Sequence, residues 1–214
     1  MTVAGTFSFY TVQGISEGIY KEKGSKFLAF CYPAKNEADI REHLGALKKR
    51  YFDASHHCYA WMIGPNKKSF RGFDDGEPNH SASTPILGQI KSKNLTNVLV
   101  VVVRYFGGTK LGVGGLAQAY KSAAEIALAN ATIVEIELTA AFILDFNYDE
   151  SAEVMRMVKE FDLAIVQQTY QERARLVVHV KLKCKEKFLE KVKLLNALGL
   201  KLNAEQKIAD EFDL

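Results

Sequence analysis

The sequence predicts an α+β fold in two domains, and three observations carry that reading. The chain has 214 residues, above the roughly 100–200 residues usual for one domain, and its 48% hydrophobic content can fill more than one core. Short β-rich segments alternate with amphipathic helical patterns along its length. From residue 138 the order is β-α-β-β-α with a last short strand near Lys201, which is the ferredoxin-like arrangement. The expected domains are 1–137 and 138–214, with no long linker and no internal repeat.

The elements of the first domain follow from local chemistry. Residues 7–12, 15–20 and 26–32 are β-rich and punctuated by Gly14, Gly18, Gly24 and Pro33, as in an antiparallel start. Asn36 is a good N-cap, and Ile40, Leu44, Leu47 and Tyr51 recur behind it at helical spacing. Residues 55–63 and 69–73 read as strands around the Gly64-Pro65-Asn66 turn, and Asp74-Asp75-Gly76-Glu77-Pro78 reads as a polar hairpin end. Thr84 and Pro85 look like the cap and first position of a helix over 86–93 that stops at Asn94. The valine run 98–103 suits a strand buried on both faces. From Leu116 a helix follows whose inward face is largely alanine, and residues 131–137 form a closing strand. In the second domain, strands are expected over 138–147, 163–170 and 174–183, with helices over 149–161 and 186–198.

Composition bounds the class. No stretch of about 18 uncharged apolar residues is present, and the N-terminal residues 1–7 lack the basic flank and apolar centre of a secretion signal, so neither export nor membrane spanning is expected. Cys31, Cys58 and Cys184 are odd in number and show no Cys-x-x-Cys spacing, which suits a reducing cytoplasm. Net charge is +3, distributed unevenly: residues 1–137 carry 16 Lys+Arg against 12 Asp+Glu, and residues 138–214 carry 12 against 13. That bias permits a polyanionic partner without demanding one.

The strongest candidate site is the glycine-rich turn. Gly107, Gly108, Gly112, Gly114 and Gly115 lie within nine residues, between the valine strand and a helix, with Arg104 and Lys110 flanking. Glycines let successive backbone N–H groups face one anion, and a helix N-terminus adds partial positive charge. The bland alternative is a crowded turn that needs positive φ and close backbone approach. The run Gly112-Val113-Gly114-Gly115-Leu116-Ala117 matches a dinucleotide fingerprint formally, but eight residues separate it from Val103, whereas that fingerprint begins where the strand ends. Lys110 is followed by Leu111, which excludes a P-loop.

Two further groups hold chemistry-bearing residues. Asp74, Asp75 and Glu77 sit on one tight turn with His80 close behind, so they can be read as a Mg²⁺ or acid–base cluster or simply as a turn. In His56-His57-Cys58, strand alternation puts His56 and Cys58 on one face and His57 on the other, which does not make a closed metal site. Buried strand residues explain the group better than a Cys58 nucleophile with His56 or His80 as base. Cys31 and Cys184 read as core thiols. No metal or cofactor is expected.

Gly24-Ser25-Lys26-Phe27, His56-His57-Cys58-Tyr59-Ala60, Asp74-Asp75-Gly76-Glu77-Pro78, Pro85-Ile86-Leu87 and the whole run 103–116 together resemble the IMPACT/YigZ family, in order, over about residues 15–130. The resemblance implies a ribosomal-protein-like α/β sandwich with a left-handed β-α-β crossover for the first domain, and a tail similar to the ferredoxin-like domain of bacterial members. It also implies an association with translation control, and no established catalysis. The chain departs from the pattern at residues 79–85, where Asn-His-Ser-Ala-Ser-Thr-Pro stands in place of a glycine-bearing, basic loop. Any anion is therefore expected on residues 107–115 alone. Eukaryotic members carry a separate N-terminal partner-binding domain; the segment before Gly14 is too short to be one, and their kinase-competing role is not carried over.

Three functional readings stand at this point. The favoured one is a non-enzymatic protein that binds RNA or a ribosome-associated factor, with Arg104, Lys110 and the glycine amides on phosphate and with His56, Asp74, Asp75, Glu77 and His80 as accessories. The second is an enzyme for a small phosphorylated ligand, with the carboxylates holding Mg²⁺. The third is a module that binds a protein partner in translation control.

Overall fold

The computed structural model describes residues 7–207. Residues 1–6, most of the stretch read above for a secretion signal, lie outside the described residues, as do residues 208–214. Two compact units emerge among the described residues: Ser8–Ile136, and 137–207 together with Phe7. No described helix is long and apolar enough to cross a membrane.

In the first unit, β1 (Ser8–Gln13) precedes a hairpin of β2 (Ser16–Glu22) and β3 (Ser25–Pro33). Its two-residue loop is Lys23-Gly24, both at positive φ, the backbone that suits the twist of a tight hairpin. α1 (Glu37–Arg50) begins as expected, because the Asn36 side chain accepts the amides of Ala38 and Asp39 at 2.8 and 3.0 Å. Then come β4 (His56–Ile63), β5 (Ser69–Phe73), α2 (Ser83–Ser92), β6 (Val98–Tyr105), α3 (Gly112–Ala129) and β7 (Thr132–Glu137).

The five-stranded sheet has the order β2-β3-β6-β4-β5, while β1 pairs with β7 in a separate two-stranded sheet. β3 and β4 are each antiparallel to β6, so they run parallel to one another, and α1 connects them as a β-α-β crossover around the central strand. Helices cover both faces. Val98, Val100 and Val102 pack into one core with α2 and α3, while Leu99, Val101 and Val103 pack into another with α1. This explains the uninterrupted apolar run, even though the sheet is antiparallel. The alanine face of α3 has a matching device on the sheet: a Cβ at Gly18 would lie 2.6 Å from the Ala127 nitrogen, so only glycine permits the approach.

Three local expectations are corrected. Residues 74–78 do not end a hairpin, because β5 is an edge strand that leads into α2. The helix there begins at Ser83 rather than at Pro85, and its N-terminal amides are capped by Asp74 from nine residues upstream instead of by Thr84. α3 begins at Gly112, so three of the five glycines belong to its first turn and not to the loop before it.

The second unit contains β8 (Thr139–Phe146), a 3-10 turn at Tyr148–Glu150, α4 (Ser151–Glu160), β9 (Ala164–Tyr170), β10 (Ala174–Lys181), α5 (Lys185–Ala197) and β11 (Asn203–Gln206). Its order β11-β8-β10-β9 is the ferredoxin-like topology expected from the sequence. Strict alternation puts Phe142, Leu144 and Phe146 of β8 and Leu176, Val178 and Val180 of β10 against both helices. Cys31 is buried as expected, with burial pushing its thiol up to about 12. Cys184 is only half-buried, because it falls in a 3-10 turn between β10 and α5.

Candidate functional site

The glycine turn sits where the Lys23-Gly24 turn of the β2–β3 hairpin meets the end of β6. A Cβ at Gly107 would lie 1.9 Å from the Gly24 carbonyl carbon, so the two backbones touch and no side chain fits at Gly107. The Ser25 hydroxyl accepts the Gly107 N–H at 3.2 Å and secures the contact. Gly108 and Gly112 occupy the left-handed region at φ +87 and +72. α3 has no side-chain cap: Leu111 stands at its cap position and offers no acceptor, and Gly112, Val113 and Gly114 are exposed. Among the described residues, no side chain accepts a hydrogen bond from the first-turn amides of this 18-residue helix. Lys110 is exposed beside them and makes no ion pair among the described residues.

Arg104 has a different role from the one expected. It is 5% exposed, and its Nη1 donates to Glu77 Oε1 at 2.5 Å, with Glu77 itself 8% exposed. Its guanidinium lies 5.4 Å from the Phe27 ring centroid and 5.6 Å from that of Phe106. The Tyr120 hydroxyl, from α3, donates to the same Glu77 oxygen at 2.8 Å, and His56 Nε2 stands 3.8 Å from it. The Cys58 thiol reaches the Asp74 carbonyl at 2.9 Å and the Tyr120 hydroxyl at 3.3 Å. This buried network joins the acidic turn, β4, β6 and α3. Burial, helped for Tyr120 by its Cys58 and Glu77 neighbours, pushes both the Cys58 thiol and the Tyr120 hydroxyl up, so both are neutral at physiological pH. A neutral, buried Cys58 is no nucleophile.

The remaining acidic residues organise backbone. Asp74 Oδ1 accepts the amides of Ala82 and Ser83 at 3.0 and 2.7 Å, and Oδ2 accepts that of His80 at 2.9 Å. Burial works to raise the Asp74 carboxyl, but these amides outweigh it and hold it below the ordinary carboxylate range. Asp75 Oδ2 accepts the His57 amide at 2.7 Å, and the Asp75 carbonyl stands 2.8 Å from His56 Nδ1. His57 is buried, and burial pulls its imidazole below the ordinary value. The His80 side chain is exposed, with a ring nitrogen 3.2 Å from Thr84 Oγ1, and stays apart from the network. Among the described residues, no group of three or more His, Cys, Asp or Glu is placed to hold a metal ion.

The fold therefore brings Arg104, Glu77 and His56 together, sets Asp74 and Asp75 beside them as turn-formers, and leaves Lys110 and the glycines on the surface. Sequence reasoning missed Tyr120 and Ser25. Tyr120 falls at an inward position of the alanine-rich helix that follows Leu116, where its hydroxyl needs a partner, and that need is the available signal. Ser25 stands in the sequence only as part of the Gly24-Ser25-Lys26-Phe27 motif, and nothing local signals that its hydroxyl meets Gly107.

The Impact N-terminal domain model matches residues 23–128. The chain is 30% identical over 183 residues to the IMPACT family member YvyE of Bacillus subtilis (strain 168), covering 86% of this chain and 84% of that one. It is 30% identical over 151 residues to the IMPACT family member YigZ of Escherichia coli (strain K12), covering 70% and 74%. A crystal structure of a protein described only as hypothetical superposes with a TM-score of 0.67 at 25% identity, over 95% of this chain and 98% of the other. With relatives matched over most of their length and the glycine turn within the matched domain, the chain belongs to the IMPACT family.

Proposed function

We propose that this protein is a non-enzymatic, cytoplasmic, translation-associated regulator that binds RNA or a ribosome-associated factor through phosphate contacts in its first domain. The observation that carries the reading is the uncapped N-terminus of α3, whose glycine-flanked amides lie open beside exposed Lys110. Positive helix-end charge and unhindered backbone N–H groups are the means by which proteins hold phosphate. Family membership supports the link to translation. Arg104, Gly107, Gly108, Lys110, Gly112, Gly114 and Gly115 divide the work. Lys110 and the α3 amides meet the anion, Gly108 and Gly112 supply the turn, and Gly107 lets the hairpin approach. Arg104 with Glu77 braces the floor beneath.

The Mg²⁺-enzyme reading is less well supported, because the carboxylates it needs have other partners. Both Asp74 oxygens accept backbone amides, and the Glu77 oxygen that faces the network takes Arg104 and Tyr120. The test of the favoured reading is fluorescence anisotropy with labelled RNA across a salt series. Phosphate contacts release counterions, so affinity should fall as salt rises, and Lys110→Glu should weaken binding and flatten the salt slope by about one unit. No binding at low salt would sink the proposal.

A further inference from the structure

The sheet end where Gly24 meets Gly107 carries further residues that, Lys110 apart, the phosphate reading does not use. Phe52, in the loop after α1, is 83% exposed, and Phe106, directly after β6, is 50% exposed. Three hydrogen bonds tie their loops together: Ser55 N–H donates to the Arg104 carbonyl at 2.9 Å, Phe106 N–H to Ser55 Oγ at 3.3 Å, and the Tyr105 hydroxyl to Asp53 Oδ1 at 2.8 Å. The two rings are thus held at one end of one sheet, unlike the isolated apolar side chains common on any surface.

The segments next to these rings are rich in exposed cations. Lys48, Lys49 and Arg50 form the last turn of α1, immediately before Tyr51 and Phe52. Lys23 stands in the β2–β3 turn, Lys26 is the cross-strand partner of Tyr105, and Lys110 follows the glycine turn; all six are exposed. Asp53, the acid next to Phe52, already accepts the Tyr105 hydroxyl. A lysine-rich surface around exposed aromatic rings is a poor match for a protein partner, whose interface core is depleted in lysine. It matches a polyanion that also offers flat apolar faces. Duplex RNA hides its base faces, whereas a single strand presents them for stacking.

We infer that this surface binds single-stranded RNA, with bases stacked on Phe52 and Phe106 and backbone phosphates taken by the surrounding lysines and Arg50. The inference rests on the RNA reading above and sharpens it. Full-length protein is titrated into a labelled short single-stranded RNA and into the duplex of the same sequence. The single strand should bind more tightly. Phe52→Ala and Phe106→Ala should each weaken it about tenfold while leaving duplex binding unchanged, and Phe52→Tyr should restore it. In a Phe52→Trp variant, indole fluorescence should be quenched as the single strand binds. The exposure of Phe52 makes its replacement safe for the fold, which circular dichroism checks.

Equal affinity for strand and duplex, or alanine variants that bind as wild type while Lys110→Glu still weakens binding, would overturn the stacking inference and leave the phosphate reading intact. No RNA binding by the wild type at low salt would overturn both.

Discussion

The two units each contain arginine bound to carboxylate, and the settings could hardly differ more. In the first, the Arg104 and Glu77 side chains are 6% and 4% exposed, and Tyr120 adds a third partner. In the second, Asp145 on β8 is bridged by Arg173 and Arg175 on the open face of the sheet, with arginine side chains 39% and 59% exposed. Burial works to raise the Asp145 carboxyl, and the two guanidiniums outweigh it and hold it low. The chemistry of the pair is the same in both places. What differs is water: a charge stripped of its hydration depends wholly on its partner, whereas an exposed charge falls back on solvent.

The largest effect should follow from removing one partner of the buried pair. Arg104→Ala leaves the Glu77 carboxyl buried without its cation, and should cost about 3–5 kcal/mol in urea unfolding. Replacing both partners with apolar residues, as in Arg104→Met with Glu77→Leu, should recover part of that loss. A loss for Arg104→Ala no larger than an exposed pair shows would break the comparison.

A smaller effect is expected at Asp74, which caps α2 from a distance. Asp74→Ala should cost about 1 kcal/mol at neutral pH. Because the folded state holds this carboxyl below its unfolded value, the stabilisation is complete above roughly pH 4 and is lost as pH falls through the folded value. The gap between wild type and Asp74→Ala should therefore narrow in acid, and a gap that widens there would contradict the capping role. Arg175→Ala, on the exposed face, should be the mildest change, at most about 1 kcal/mol and smaller still at high salt.

Legibility in the sequence followed the range of the interaction. Asn36 capped its helix as read, because a cap acts over two or three residues. The ferredoxin-like order of the second unit was visible because period-2 alternation in β8 and β10 survives in the linear text. Thr84 failed as a cap because Asp74, brought near by the turn between β5 and α2, supplied the acceptor instead. Arg104 looked like a surface cation because nothing in the sequence sets it against Glu77, 27 residues away, or beneath Phe106.

By itself, then, the sequence determined the order of the elements, the glycine-rich approach to α3 and the family to which the chain belongs, since each rests on spacing within a few residues or on motifs in order. Only the tertiary structure decided why Gly107 must be glycine, which cation is buried and which is free, and that Phe52 and Phe106 share one end of the sheet. Those properties depend on contacts between segments tens of residues apart, and a backbone touching Gly24 leaves no trace in the residues around Gly107.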